Sequence, residues 1–138
     1  MFKLLIVDDE IEFSPIALLR HKFKEIEIYV AESGDEAVAK IPQIQPNLVI
    51  TDWNMSNGDG STVVRFCLDN KINPIIYTGG YEPEMASFKV PVLSKIEPNK
   101  LAHVIKTYFE EWKRRGKNGR ENIQTVNCGR CRAVSDNA

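Results

Sequence analysis

The chain has 138 residues, enough for one domain with its own core but not for a second catalytic domain. Its formal net charge is −1 with both signs interspersed, so the molecule as a whole has no strong attraction to nucleic acid or acidic lipid. No basic stretch precedes a long apolar run, and the three cysteines do not indicate a disulfide framework. We therefore expect a cytoplasmic protein without a signal peptide or membrane span.

Short apolar runs alternate with helical patterns as far as about residue 115, which is typical of βα units around a parallel sheet. The runs that indicate strands cover residues 3–7, 26–30, 48–51, 74–77 and 90–93. The second run alternates apolar and polar residues, as an edge strand does. Pro91 places the fifth run at the opposite edge, because proline has no N–H for a ladder. The sequence thus predicts an α/β fold with a doubly wound five-stranded parallel sheet of order 2-1-3-4-5.

Capping residues and prolines mark the first two helices. The first helix should begin at Ser14 with Pro15 in its first position, where a missing N–H has no cost. Ser33 and Glu36 form a capping box for the second helix. Pro42 should stop that helix after about two turns.

The last two helices are expected to differ in length. Residues 82–87, before the fifth strand, have room for only a turn or two, so the fourth helix should be short or missing. The last helix begins behind Pro98, and Gly116 ends its pattern. Its buried face is predicted at helical spacing from Leu101, Val104, Ile105, Tyr108 and Trp112.

Polar side chains follow four of the predicted strands at the points where the strands end. Asp8 and Asp9 follow the first strand, Asp52 the third, Thr78 the fourth and Lys95 the fifth. Because the carboxyl ends of parallel strands meet at the crevice where open α/β sheets bind ligands, these groups should converge. A lone aspartate after a strand usually caps a turn, but three converging carboxylates favour a divalent cation.

With these groups in this order, residues 1 to about 115 resemble a response-regulator receiver domain, the phosphorylation module of two-component signalling. The loop from Asp52 to Gly60 is particularly similar to that of chemotaxis-type receivers. The resemblance implies a flavodoxin-like fold. It also implies that Asp52 is the phosphoacceptor, Thr78 the switch hydroxyl and Lys95 the essential lysine, the three residues that would carry the chemistry.

The same resemblance implies Mg²⁺ as the cofactor. Asp9 and Asp52 would be direct ligands, together with the backbone carbonyl of Asn54, and Asp8 would act mainly through water. Such a set suits Mg²⁺, which prefers oxygen ligands and keeps several waters.

Two positions near the fifth strand depart from the family pattern. Val92 occupies the place of the usual switching aromatic residue, for which Tyr77 or Tyr81 are possible substitutes. Ile96 follows Lys95 where receivers usually have proline. These departures and the short fourth helix predict an altered partner surface.

We predict a phosphoacceptor receiver that takes phosphate from a histidine kinase or phosphotransfer protein and switches a surface that an unknown downstream protein reads. It would be a signalling switch and not a turnover enzyme, with no direct nucleic acid binding by the receiver. One alternative is a phosphorylation-independent binding module. Another is a phosphatase of the haloacid dehalogenase type, but Asp8-Asp9-Glu10 lacks the Asp-x-Asp pattern which that class requires.

Residues 116–138 differ in composition from the rest. They form a basic stretch without apolar periodicity, and Cys128 and Cys131 make a CxxC pair. One such pair supplies half of a tetrahedral zinc site. We expect a disordered tail or linker, with a zinc knuckle or partner-binding segment as the alternative. Cys67 instead falls on the inner face of the third helix, where it should be a small buried thiol.

Overall fold

The computed structural model describes residues 1–11 and 14–116, which form one five-stranded parallel sheet with the order β2-β1-β3-β4-β5. The strands are β1 (Phe2–Val7), β2 (Ile26–Ala31), β3 (Leu48–Thr51), β4 (Asn73–Thr78) and β5 (Val92–Ser94). The helices are α1 (Ile16–Lys22), α2 (Gly34–Ile44), α3 (Gly60–Asp69) and α4 (Pro98–Arg114), and a 3₁₀ helix, Pro83–Phe88, precedes β5. The predicted class, strand order and edge strands are confirmed.

Helices cover both faces of the sheet, because successive residues of each buried strand point to opposite sides. On one face Leu4 and Ile6 pack with α1 and α4. On the other, Leu5 and Val7 pack with α2 and α3. Cys67 is fully buried on that second face, as predicted, and burial raises the pKa of its thiol. No helix in the described part of the chain is long and apolar enough to cross a membrane.

The predicted limits of the first two helices were wrong. Helix α1 begins at Ile16, and Pro15 lies before it as the capping residue, its carbonyl accepting from the Leu19 N–H at 2.9 Å. Helix α2 runs through Pro42 to Ile44. Proline removes only one helical hydrogen bond there, and the Gln45 N–H closes the last turn by donating to the Ile41 carbonyl at 2.8 Å.

The Ser33 cap was predicted correctly. Its hydroxyl accepts from the Glu36 N–H at 3.0 Å. The Glu36 carboxylate reaches one residue further than in a standard capping box and accepts from the Glu32 N–H at 2.8 Å.

Two expectations near the end of the chain need correction. Pro91 lies directly before β5 and not inside it, although its carbonyl still accepts from the Ile76 N–H at 2.9 Å. The buried face of α4 is also rotated from the one expected, because the helix packs its rings around Phe2. Its buried residues are Leu101, Ala102, Ile105, Phe109 and Trp112, whereas Val104 and Tyr108 are partly buried.

The fourth helix is short, as predicted, being the six-residue 3₁₀ helix Pro83–Phe88. Of the predicted tail 116–138, residues 117–138 lie outside the described residues, and so do Cys128 and Cys131.

The loop after β3 lies so close to its neighbours that glycine is required. A Cβ on Gly60 would lie 2.3 Å from the Asp52 carbonyl oxygen and 2.7 Å from the Trp53 Cα. A Cβ on Gly34 would lie 2.5 Å from the Gly58 carbonyl oxygen, which accepts from the Gly34 N–H at 2.9 Å. The loop is therefore fixed against the first residues of α2 and α3.

Replacing Gly60 with alanine should lower the free energy of unfolding by about 1–3 kcal/mol, because the new methyl group meets main-chain atoms that have no room to move. Urea denaturation would measure the change. Gly79→Ala is the matched control, since a Cβ there meets nothing within 4 Å. Equal effects of the two substitutions would contradict the close-packing explanation.

Candidate functional site

The sheet itself brings the ends of β1 and β3 together. Val7 and Thr51 are register partners, so the next residue of each strand lies at the same edge. The Asp8 N–H donates to the Ala31 carbonyl at 3.0 Å, and the Asp52 N–H donates to the Val7 carbonyl at 2.9 Å. Main-chain hydrogen bonds of the sheet thus place both aspartates.

Asp8, Asp9 and Asp52 form a carboxylate cluster. One oxygen from each lies within 4.8 Å of the others. Asp8 is 3% exposed, Asp52 is half-buried, and Asp9 is exposed. Three convergent carboxylate oxygens with one exposed member fit a hard, partly hydrated divalent cation such as Mg²⁺. The cluster predicted from the strand ends is therefore present.

Lys95 lies opposite this cluster and contacts two of its members. Its Nζ lies 2.9 Å from Asp8 Oδ2 and 3.0 Å from Asp52 Oδ2. Its N–H donates to the Thr78 carbonyl at 2.9 Å, which places it beside β4. Burial by itself would lower the pKa of the Lys95 ammonium, but the bonds to Asp8 and Asp52 outweigh that effect and raise the pKa above its ordinary value.

The other oxygens of these carboxylates are engaged differently. Asp8 Oδ1 accepts from the Glu10 N–H at 2.9 Å, and Asp52 Oδ1 accepts from the Trp53 N–H at 2.7 Å. No side chain or main-chain group in the described ranges donates to the Asp9 carboxylate. Asp9 is consequently the acid whose oxygens a cation can take without breaking a hydrogen bond.

Thr78 and Asn54 reach the same edge but bind elsewhere. Thr78 ends β4 and is buried, and its hydroxyl donates to the Gly80 carbonyl at 3.1 Å and accepts from the Gly80 N–H at 3.3 Å. The exposed Asn54 donates its carboxamide N–H to Glu82 Oε2 at 3.1 Å. The structure thus brings Asp8, Asp9, Asp52 and Lys95 into one cluster, whereas the roles of Thr78 and Asn54 stay predictions.

Tyr77 and Tyr81 were the possible substitutes for the missing aromatic residue. Neither makes a hydrogen bond to Thr78 Oγ1, whose partner is Gly80. Tyr77 is 5% exposed and packs in the core beneath α4, and burial raises its pKa. Tyr81 is 63% exposed. Val92 is partly buried against a cluster formed by Trp53, Val64, Ile76 and Met85, and it has no aromatic ring.

Lys95 and Glu82 make contacts that the sequence did not predict. Lys95 binds Asp8 as well as Asp52, and Glu82 binds both residues that follow Asp52, accepting from Trp53 Nε1 at 3.2 Å. The sequence predicted only that residues 82–87 have room for a turn or two, and nothing in the spacing indicated which side chains Glu82 would reach.

At neutral pH and without metal, Lys95→Met should lower the free energy of unfolding by roughly 1–3 kcal/mol, because two carboxylates lose their shared cation. Denaturant titrations against Lys100→Met, a change at an exposed lysine of α4, would isolate the effect.

The pH dependence of this effect follows from the raised Lys95 pKa. The lysine's stabilisation is complete below its ordinary pKa of 10.5 and is lost as pH rises through the higher folded value. The stability difference between wild type and Lys95→Met should therefore stay constant from about pH 7 to pH 9 and narrow only above the ordinary pKa. A difference that narrows below about pH 9 would contradict this assignment.

Comparisons with known proteins agree with this geometry. No family model matches the chain. A protein-glutamate methylesterase/protein-glutamine glutaminase of Rhodospirillum rubrum is 35% identical over 83 residues, which cover 55% of this chain and 21% of that protein. The transcriptional regulatory protein ResD of Bacillus subtilis is 35% identical over 74 residues, 54% of this chain and 31% of that protein. The chain thus spans less than a third of these curated relatives.

Solved structures match over more of the chain. A CheY-like response regulator receiver domain protein from Methanospirillum hungatei has a TM-score of 0.69 and 22% identity, over 83% of this chain and 98% of its own. The chemotaxis protein CheY4 of Vibrio cholerae has a TM-score of 0.66 and 23% identity, over 78% of this chain and 98% of its own. The chain therefore has the fold of response-regulator receiver domains, and the resemblance read from its strand-end residues is confirmed.

Proposed function

We propose that this chain is the phosphoacceptor receiver of a two-component phosphorelay, with Asp52 as the phosphorylated residue. The observation that carries the proposal is the meeting of three carboxylates within 4.8 Å with the Lys95 ammonium 2.9 and 3.0 Å from two of them. The receiver unit comprises residues 1–115, and residues 116–138 are a basic tail or linker. The chain acts as a switch and not as a turnover enzyme.

The chemistry assigned to Asp52 is nucleophilic. A carboxylate oxygen forms a bond to phosphorus while the bond between phosphorus and the donor breaks, and the electron pair of that bond leaves with the donor. The product is a mixed anhydride. The donor is a phosphohistidine of a kinase or phosphotransfer protein, and acetyl phosphate, which releases acetate, serves as its small-molecule substitute.

Two cations offset the negative charge that meets at Asp52. Mg²⁺, held by Asp9, Asp52 and the Asn54 carbonyl with Asp8 mainly through water, would supply positive charge beside the phosphoryl oxygens. Lys95 supplies the other positive charge and is able to transfer from the carboxylate to a phosphoryl oxygen. Thr78 would need to release the Gly80 carbonyl before its hydroxyl donates to the phosphoryl group.

The proposal extends to partners and location. A histidine kinase or phosphotransfer protein supplies the phosphate, and a downstream protein reads the altered surface near the 3₁₀ helix and β5. The receiver has no direct contact with nucleic acid, in keeping with a net charge of −1. We place the protein in the cytoplasm.

One observation favours a second candidate, a receiver-like binding module that acts without phosphorylation. The Thr78 hydroxyl is bound within its own loop, and Val92 has no aromatic ring to follow a movement of Thr78. Such a module would present a fixed surface to its partner. Phosphorylation of Asp52 distinguishes the two candidates.

Mg²⁺ should stabilise the wild-type protein against heat, because the ion binds the folded carboxylate cluster and not the unfolded chain. At about 100 times the dissociation constant the gain is about 2.7 kcal/mol. Asp9→Asn should lose most of it, since Asp9 offers the oxygens that no described donor occupies. Asp69→Asn, at an exposed position of α3, is the control for charge. Equal Mg²⁺ shifts in both variants would contradict the metal assignment.

Acetyl phosphate with Mg²⁺ should add one phosphoryl group to the wild-type chain, as measured by mass spectrometry of the intact protein. Asp52→Asn should abolish the addition, because an amide is a poor nucleophile, and Asp69→Asn should retain it. Chelation of Mg²⁺ should prevent the reaction. An unmodified wild-type chain in the presence of Mg²⁺ would overturn the phosphoacceptor proposal and favour the binding module.

A further inference from the structure

Glu82 connects the loop after Asp52 to the 3₁₀ helix. Its carboxylate accepts from Trp53 Nε1 at 3.2 Å and from Asn54 Nδ2 at 3.1 Å. Its main-chain carbonyl accepts from the Met85 N–H at 3.0 Å, in the first turn of the 3₁₀ helix that Glu82 caps. Glu82 thus binds both residues that follow Asp52 and caps the 3₁₀ helix.

Apolar contacts join the same two segments. Trp53 and Met85 are buried together, and the rings of Trp53 and Phe88 pack edge to face with centroids 6.0 Å apart. The Arg65 guanidinium lies over the Phe88 ring, 5.3 Å from its centroid. A displacement of Trp53 would therefore act on the 3₁₀ helix in two ways, through the hydrogen bond to Glu82 and through the contacts of the Trp53 ring.

Trp53 is also tied directly to Asp52. Its N–H donates to Asp52 Oδ1 at 2.7 Å, a hydrogen bond to a charged carboxylate. When Asp52 forms an anhydride, the carboxylate charge that this N–H faces is lost, because the negative charge moves to the phosphoryl oxygens. A hydrogen bond to a neutral acyl oxygen is weaker than one to a carboxylate, so the restraint on Trp53 is reduced.

Glu82 also responds to charge. A phosphoryl group would add negative charge to Asp52, whose two following residues both donate to Glu82, and like charges repel. Asn54 gains a competing acceptor in the phosphoryl oxygens. Both effects act against the two hydrogen bonds that Glu82 accepts.

We propose that Glu82 is a positioning residue that transmits the state of Asp52 to the 3₁₀ helix Pro83–Phe88, through its hydrogen bonds to Trp53 and Asn54. This inference rests on the proposed function of Asp52. Through Glu82 the state of Asp52 would reach the partner surface without the Thr78 hydroxyl and without an aromatic residue at position 92.

The test is hydrogen–deuterium exchange of the full chain with and without acetyl phosphate and Mg²⁺, with phosphoryl content measured on the same samples. In wild type, phosphorylation should raise amide exchange across residues 82–88. Glu82→Gln keeps the shape but replaces one of the two accepting oxygens with an NH₂ group, which cannot accept from Trp53 Nε1 or Asn54 Nδ2. This variant should lose most of that difference at equal phosphoryl content. Glu82→Ala should lose it as well.

Glu84→Gln is the matched control, with the same change of charge on the same 3₁₀ helix. Its carboxylate is exposed and lies 4.0 Å from Arg65, away from the two donors that Glu82 holds. This variant should respond as wild type does. A second readout is the fluorescence of Trp53 in a Trp112→Phe background, where the change on phosphorylation should likewise depend on Glu82.

Each outcome assigns failure to a different claim. A phosphorylated Glu82→Gln variant with a wild-type exchange response would overturn the role of Glu82 alone. Loss of phosphorylation in both Glu82 variants but not in Glu84→Gln would also overturn it, because Glu82 would then act on the reaction itself. Absence of phosphate in every variant and in wild type would overturn the proposed function, and this inference with it.

Discussion

The pairing of one ammonium group with two carboxylates is the interaction on which the site depends. Two unit charges about 4 Å apart interact by about 4 kcal/mol at an effective dielectric constant of 20, so a cluster of like charges at a sheet edge is costly. Lys95 offsets this cost by bonding to Asp8 and Asp52 at once. Asp9 shares in neither bond, and this leaves the exposed side of the cluster with uncompensated charge. The geometry thus favours one cation from the chain and a second from solution.

Main-chain hydrogen bonds fix the positions of these groups. Asp8 and Asp52 each donate an N–H to a neighbouring strand, and Lys95 does the same to Thr78. Gly60 lets the chain turn directly behind Asp52, because its missing Cβ would otherwise overlap the Asp52 carbonyl. Because main-chain bonds hold the positions, the carboxylates remain close in spite of their repulsion.

Much of the fold and the core of the site could be predicted because both follow from short-range patterns. Short apolar runs predicted the strands, and the rule that parallel strand ends share an edge was enough to gather Asp8, Asp9, Asp52 and Lys95. The errors have local causes of a different kind. Pro42 lies inside α2 since a proline near the end of a helix costs little when Ile41 is buried against the sheet and Gln45 closes the turn.

The contacts of Glu82 could not be predicted, since they depend on how an irregular loop and a 3₁₀ helix meet in space. Periodicity describes faces of regular elements, and a glutamate before Pro83 fits a helix cap as well as any other role. The same holds for the Thr78 hydroxyl, which a strand-end rule placed at the site but which binds Gly80 in its own loop. The contacts of side chains on irregular segments can be read only from the structure, whereas the positions of side chains at strand ends follow from the strand register.

The site has two halves that differ in kind, one that holds the charged groups and one that faces the 3₁₀ helix. The half that holds charge, at the ends of β1, β3 and β5, has the groups that the receiver resemblance implies, and strand register fixes it. The half that faces the short 3₁₀ helix has Val92 in place of an aromatic residue and an Ile96 side chain that is 84% exposed. Glu82 connects the two halves, because it accepts from Trp53 and Asn54 after Asp52 and caps the 3₁₀ helix.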